Sequence, residues 1–581
     1  MNTITVSNNL IVQYQRLSTH FKHQNEVLTT VDELADALCC TRRNVNLVLE
    51  KMSIQDWLVW VPSRGRGKKS RLTLLAKDSN LTVQMAIQTA NSGQLEDAFD
   101  MLNSGQEKTA LFDYLKTQLG FQGQKSQTLR IPYARTIGEF NPATASRMTE
   151  IHMIQQIMDC LVRFDGSQQD IVPHLAHSWR TNKDGKVWTL FLRPGVTFHH
   201  GRPLVADDVK ATLLHLRDYQ GPFQSLYDHI TQITCPTSYS IEIKLSREDY
   251  LFLHLLSNQS SVIQPYDLMH QPNFYNQPVG TGPFKVGNRN SFQLELIAND
   301  QYFKERSLLD RVEILLFTDA AAELENTSDI YFTNTSHNQH RMQHNSKMEV
   351  GYQYVLFNVE NANSPIQDLR IRRCIRSMLD GQAMVNELGE ERASVASRLL
   401  PEWEHNSQRL MFTVRPRMPM RLQTPLKLYT YDTHTDDAQW IKKTLAEFDI
   451  EVDVFVLDYH LFADPNNWTD ADLVLSGETL DDNLEMALYE WFATQRSLQH
   501  CMGPEQRLVM ANKLDDALSL PSKSERMDAF RGMDIHLQQE LVLLPLYHHK
   551  QEMHYVDRVQ GMQLNCFGWV DFKDIWFDDG R

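Results

Sequence analysis

Apolar positions near the start of the chain fall three times at helical spacing and then begin to alternate. Leu10 to Phe21 sets Val12, Leu17 and Phe21 on one side, with Tyr14 near its edge. Thr30-x-x-Glu33 forms a capping box, in which each end of the motif satisfies an open backbone N–H of the other. It opens a second helix whose inward set is Val31, Leu34, Ala35 and Leu38. After a three-residue break, Cys39-Cys40-Thr41, a third helix carries the stripe Val45, Val48, Leu49 and Met52. Trp57–Val61 and Arg71–Leu75 then read as strands joined by a glycine-punctuated loop, which makes a hairpin.

Two helices joined by a three-residue turn and followed by a hairpin match an α+β winged helix-turn-helix, expected over residues 1–76. The helical pattern persists beyond it, through Leu81, Val83, Met85 and Ile87, then Leu95, Ala98, Phe99 and Leu102, then Leu111, Leu115 and Leu119. Glycine breaks at Ser92-Gly93 and Ser104-Gly105 cut this stretch into short helices, a connector over 77–125, and Gly120 to Thr128 reads as a small linker. From Leu129 strands alternate with helices, which predicts an α/β remainder.

Charge gives the front end its meaning. Between Thr41 and Leu75 eight Lys or Arg residues face only Glu50 and Asp56, a local balance of +6 inside a chain of net charge -16. One face can therefore meet a polyanion while the bulk cannot. With the third helix's stripe turned inward, Arg43, Asn46, Leu47 and Glu50 point outward, flanked by Asn44 and Lys51. Arginine suits guanine edges and asparagine suits adenine edges, each through two hydrogen bonds. Arg43, Asn44, Asn46 and Leu47 are therefore the expected base readers on double-stranded DNA. Thr41 and Arg42 at the helix entrance, Lys51, and the hairpin cations Arg64, Arg66, Lys68, Lys69 and Arg71 are the expected backbone contacts.

The remainder carries four specific blocks. The strongest, Trp188 to Lys210, contains Leu192-Arg-Pro-Gly-Val-Thr-Phe-His-His-Gly201 followed by Ala206-Asp-Asp-Val209. The others are Leu129-Arg-Ile-Pro with Glu139-Phe-Asn-Pro142, Val279-Gly-Thr-Gly-Pro-Phe-Lys285, and Leu544-Pro-Leu-Tyr-His548. Together they closely resemble the family 5 extracellular solute-binding proteins. The resemblance implies a two-lobed, periplasmic-binding-protein-like (type II) clamshell with a ligand at its hinge. Lobe 1 is then expected over 126–345, completed by about 545–581, and lobe 2 over 346–544.

A winged helix ahead of such a clamshell is similar to the SgrR family of bacterial transcriptional regulators. Arg42-Arg43 matches the start of that family's recognition helix, Gly65 to Leu72 its wing, and Gly568-Trp-x-Asp-Phe-Lys-x-x-Trp-Phe577 its tail. The resemblance implies control of a small-RNA gene and a sugar-efflux gene under sugar-phosphate stress, with repression of the regulator's own gene. It also implies a small-molecule ligand, a sugar or sugar phosphate. Peptide-binding relatives anchor an amino group on an Asp after a Trp/Ala run, and Asp472–Asp482 lacks that pattern, which argues against a peptide. The ligand's contact residues are not assigned.

Other classes are weaker. The start has no positively charged region followed by an apolar block, and no uncharged run approaches a bilayer span, so a cytoplasmic protein without membrane contact is expected. Seven cysteines, widely spaced apart from the adjacent Cys39-Cys40 and without Cys-x-x-Cys, fit a reducing compartment. Gly-x-x-x-x-Gly-Lys-Ser/Thr, Gly-x-Ser-x-Gly and His-Glu-x-x-His are absent, so no catalytic residue, cofactor or metal is expected. His199-His200 is read as structural. The alternative is a solute or oligopeptide receptor of an ABC transporter carrying an N-terminal extension. The oligomeric state is left open.

Overall fold

The computed structural model describes residues 8–22, 25–63, 69–76, 78–91, 94–102, 104–116, 120–122, 127–133, 136–316, 330–331, 342–389, 391–406, 418–556, 559–563, 565 and 569–578. The front domain begins with α1 (Asn8–His20), β1 (Val27–Thr29), α2 (Val31–Leu38), α3 (Arg42–Ile54), β2 (Leu58–Val61) and β3 (Ser70–Leu74). The sheet order is β1-β3-β2, antiparallel throughout. Strand β1 is an addition to the sequence reading. It is three residues long and pairs Val27 with Leu72, a pairing with no local signal.

The inward face of α1 also differs from expectation. Leu10, Ile11, Tyr14 and Leu17 are buried, while Val12 is 39% exposed. Tyr14 sits at the centre, edge-on to Trp57 at 5.7 Å, with its hydroxyl donating to the Ala76 carbonyl at 2.7 Å. A ring that finds a partner for its one polar atom is buried with little penalty, and this one closes the domain. In α2 both halves of the capping box form, through Thr30 Oγ1 and the Glu33 carboxylate. Cys39 ends that helix in the left-handed conformation at φ 50°, and this sharp reversal sets the angle of α3.

The connector is three helices, α4 (Asp78–Asn91), α5 (Leu95–Asp100) and α6 (Gly105–Lys116). Leu81 is buried in the front domain's core and Met85 packs against it. Ala86 and its neighbours instead join a second core with Ala98, Phe99, Leu102, Leu111 and Leu115. That core closes on the first lobe, where Leu315 is buried within it and Phe292 stacks on Phe99 at 4.5 Å. The stretch read as a linker also differs: β4 (Gly120–Gln122) pairs with β5 (Thr128–Tyr133) as the edge of the first lobe's sheet.

That lobe holds a five-stranded sheet in the order Phe284–Arg289, Gln293–Ala298, Arg311–Leu316, β5, β4. α7 (Met148–Ile157) and the tail residues Trp569, Phe572 and Ile575 cover it. An inserted antiparallel sheet of four strands carries the Trp188 block. The block's fixed residues are scaffold. Asp208 is buried at the start of the helix Ala206–Asp218, accepting from the Val205 N–H at 2.9 Å and from Arg202 at 2.6 Å.

His199 bonds the Gly280 N–H at 3.3 Å and the Gly282 carbonyl at 3.0 Å, so two sequence blocks meet through one ring. Burial pushes that imidazole down to about 4, so it is neutral. Gly280 is itself required by close approach. A Cβ there would stand 2.1 Å from the Ile157 carbonyl oxygen.

The second lobe is built on the eight-stranded sheet with Gly351–Phe357 and Leu473–Thr479 at its centre. The long strand Leu543–Val556 belongs to both lobes. Its first residues pair with Gly351–Phe357 as far as Tyr547, and its second half pairs with Met342–Met348. Glu349, Val350, His548 and His549 therefore lie where the chain crosses between lobes.

Candidate nucleic-acid interface and interlobe cleft

The stripe Val45, Val48, Leu49 and Met52 is buried, and this fixes what α3 shows to solvent. Arg43, Asn44, Asn46, Leu47, Glu50 and Lys51 are all exposed on its other side. Leu47 is 52% exposed, an apolar side chain held in water on the face that also carries the arginine and asparagines. Such a face offers hydrogen-bond donors and an apolar surface of the kind a thymine methyl accepts. The Thr41 hydroxyl makes no capping bond, so the first turn of α3 is open to a phosphate.

The other predicted backbone contacts divide into kinds. Arg42 is exposed but ion-paired with Asp32 on α2, and Arg71 stands 3.9 Å from Glu26. Exposed pairs of this kind hold weakly, about 0–1 kcal/mol, and a phosphate competes with them. Lys51 and Lys69 are exposed. The hairpin base is braced by Ser63, whose N–H donates to Ser70 Oγ at 3.0 Å and whose hydroxyl donates to the Lys69 carbonyl at 2.7 Å. Arg64, Arg66 and Lys68 lie outside the described residues.

The second site was not assigned from the sequence. The lobes pack against each other, and one apolar cluster joins Trp188 and Phe252 of the first to Tyr352, Trp468 and Phe492 of the second. Polar ties reinforce this contact, including Arg247 to Asp515 at 2.5 Å, Asn258 to Glu490 at 2.6 Å and His254 to Asn483 at 2.8 Å. Between them lies a cavity of about 840 Å³, within the usual range for a small-molecule site. Its wall includes the rings of Tyr133, Tyr431, Tyr459, Trp491 and Tyr547 and the amides of Gln259, Gln353 and Gln495.

Charge in this wall is arranged unevenly. His549, on the crossing strand, stands 2.7 Å from Glu391 and 3.2 Å from Glu349. Burial works against its charge, but these two carboxylates overcome it and hold the imidazolium at about 10. Glu478 accepts from Gln495 at 2.6 Å, and Glu490 accepts from Asn258. Burial pushes Glu478 up to about 8, with the neighbouring Glu490 adding to the effect. It pushes Glu490 up to about 7, with Asp481 adding to it. Both carboxyls sit in the recess between the lobes, partly withdrawn from bulk water, which is why their ionised forms are disfavoured.

All three groups bind protons in the folded protein at pH values where the unfolded chain has released them. Their contribution to stability is complete below the unfolded values, and it is lost as pH rises through the folded ones. The unfolding free energy is expected to fall between about pH 5 and pH 8 because of the two glutamates, and denaturant titrations across that range measure it. In the Glu478→Gln/Glu490→Gln protein most of this slope should vanish. A slope equal to that of the parent would refute the assignment.

The cleft was illegible locally because its partners are far apart in sequence, His549 and Glu391 being 158 positions distant. One signal was available. Asp472–Asp482, singled out for what it lacks, contributes Glu478, Thr479 and Asp481 to the wall. Among the described residues no group of three His, Cys, Asp or Glu side chains is arranged to hold a metal ion.

Comparison with known proteins agrees with both halves of the architecture. The family model for bacterial extracellular solute-binding proteins, family 5 middle, matches residues 170–499, and that for the sugar transport-related sRNA regulator N-terminus matches residues 9–126. The HTH-type transcriptional regulator SgrR of Yersinia enterocolitica serotype O:8 is 31% identical over 558 residues, covering 94% of this chain and 95% of that protein. The SgrR of Photorhabdus laumondii is 29% identical over 575 residues, covering 98% and 99%.

Among solved structures, the oligopeptide-binding protein AppA of Bacillus subtilis, in complex with a nonapeptide, aligns with a TM-score of 0.65 at 18% identity. It covers 78% of this chain and 99% of its own. A dipeptide-binding protein from Pseudoalteromonas sp. SM9913, in complex with Met-Leu, gives 0.66 at 18% identity, covering 78% and 100%. At these identities the likeness concerns the fold.

Proposed function

The chain belongs to the SgrR family of transcriptional regulators, and from that premise we propose that it reads promoter DNA through α3 and the hairpin while its cleft senses a sugar or sugar phosphate. The genes it governs are those of sugar-phosphate stress and sugar efflux, and it works in the cytoplasm. No described helix is long and apolar enough to cross a membrane. The observation that carries the reading is the continuous packing from reader to sensor. α4 lends Leu81 and Met85 to the DNA-reading core, and its remaining turns to the core seated on Leu315 and Phe292.

Closure of the lobes can therefore bias the reader only through side chains joined in one packed path. The test is the affinity of the full-length protein for promoter DNA of its own gene, measured with and without a panel of sugars and their phosphates. An affinity unmoved by every member, with DNA binding intact, would end the coupled-sensor reading.

The hairpin supplies a separate expectation. Replacing Lys69 with the loop cations Arg64, Arg66 and Lys68 by alanine should weaken binding to operator and random DNA alike. The dependence of log affinity on log salt should flatten by about one unit for each phosphate that is no longer neutralised. A salt dependence identical to the parent's would remove the wing from the interface.

A further inference from the structure

We propose that the interlobe cavity takes an uncharged, hydroxyl-rich ligand and excludes the phosphate ester of that ligand, which deepens the sensor reading above and rests on it. The first argument is that the wall's cations are already engaged. Arg392 lies 2.7 Å from Asp437 and Arg147 is 3.7 Å from Glu150, with the carboxylate buried in each, while Arg496 is 3.3 Å from Asp464 in an exposed pair. His549 is held between Glu349 and Glu391. A phosphate dianion drawing on Arg392, Arg147 or His549 would compete with the carboxylate that each already holds, and breaking the pair would leave that carboxylate without its cation. The cost of stranding such a charge away from bulk water is steep.

The second argument concerns Glu478 and Glu490. Their hydrogen-bond partners are the amides of Gln495 and Asn258, so neither carboxyl meets a cation there. Burial holds both toward the protonated form near neutral pH. A dianion placed beside them is repelled if they are ionised. If they are protonated it gains two neutral donors and still no counter-charge. Hydroxyls suit the same groups without conflict, since each can donate to or accept from a carboxyl or an amide. The ring of Tyr459, half-buried in the wall, supplies an apolar face for the C–H side of such a molecule.

The test uses the full-length protein and isothermal calorimetry at pH 7 with paired probes: glucose and glucose 6-phosphate, fructose and fructose 6-phosphate, sucrose and sucrose 6-phosphate. In at least one pair the neutral member should bind about tenfold or more tightly than its phosphate. Glu478→Gln/Glu490→Gln, with circular dichroism to verify folding, should narrow that gap by raising phosphate affinity. A phosphate that binds as tightly as its neutral parent overturns this proposal and leaves the sugar-sensor reading standing. Glucosamine binding more tightly than glucose overturns it too, because the site would then prefer a cation. Absence of binding by every probe overturns both readings.

Discussion

Replacing Arg43 with alanine is expected to cost about 1–3 kcal/mol on the true operator and almost nothing on random DNA. The same change at Asn46 should cost a similar amount, and operator selection from a random pool should relax at one base position for each residue. The physical reason is the division of labour on α3. Its buried stripe locks the helix against α1 and α2, so the outer side chains are presented at fixed positions. Arg43 and Asn46 are three positions apart, one turn of the same face. An arginine that only neutralised phosphate would lose affinity equally on all sequences. Equal losses on operator and random DNA would therefore demote Arg43 to a backbone-binding role.

Replacing Arg526 with methionine is expected to destabilise the second lobe by about 3–5 kcal/mol. Arg526 Nε lies 2.7 Å from Glu485 Oε1, and the two side chains are only 6% and 3% exposed. Arg526 also donates to the Leu520 carbonyl at 2.6 Å, so one guanidinium ties the helices Leu484–Thr494 and Lys523–Gln539 to the turn that leads into the second of them. The methionine fills much of the volume but leaves the Glu485 carboxylate buried without its cation. Arg526→Met/Glu485→Leu should recover most of the loss, since removing both charges together leaves none unpaired. The midpoint of denaturant unfolding measures each variant, and an unmoved midpoint in Arg526→Met would refute the pair's structural role.

Much of the front domain was readable because its elements are encoded locally. Thr30 and Glu33 lie three residues apart and announce a helix start, and the α3 stripe repeats at helical spacing. Where the reading failed, distance or symmetry was the cause. In α1 Val12 and Tyr14 are both apolar enough to compete for the inward face, and the choice falls to Tyr14 because Trp57 and the Ala76 carbonyl are there to meet it. Strand β1 exists only through β3, some 40 positions later. Gly120–Gln122 reads as a linker by composition and becomes a strand because β5 offers an open edge.

The clamshell followed the same division. Its sequence blocks proved to be mostly scaffold, as Asp208 and His199 show, with Tyr547 of the last block the exception in the wall, whereas the cavity depends on carboxyls and amides brought together where the lobes meet. No single segment holds enough of that wall to reveal its charge.

The helix α4 also determines how this protein can be taken apart. A chimera that transplanted the reader onto another sensor at Ala76 would discard Leu81, which is buried in the reader's core, together with the packing of Met85. Losing the burial of a leucine alone costs about 1.5–3 kcal/mol in a domain this small. The smallest portable piece therefore runs at least to Met85, and any recombination that moved the reader intact must have carried part of the connector with it.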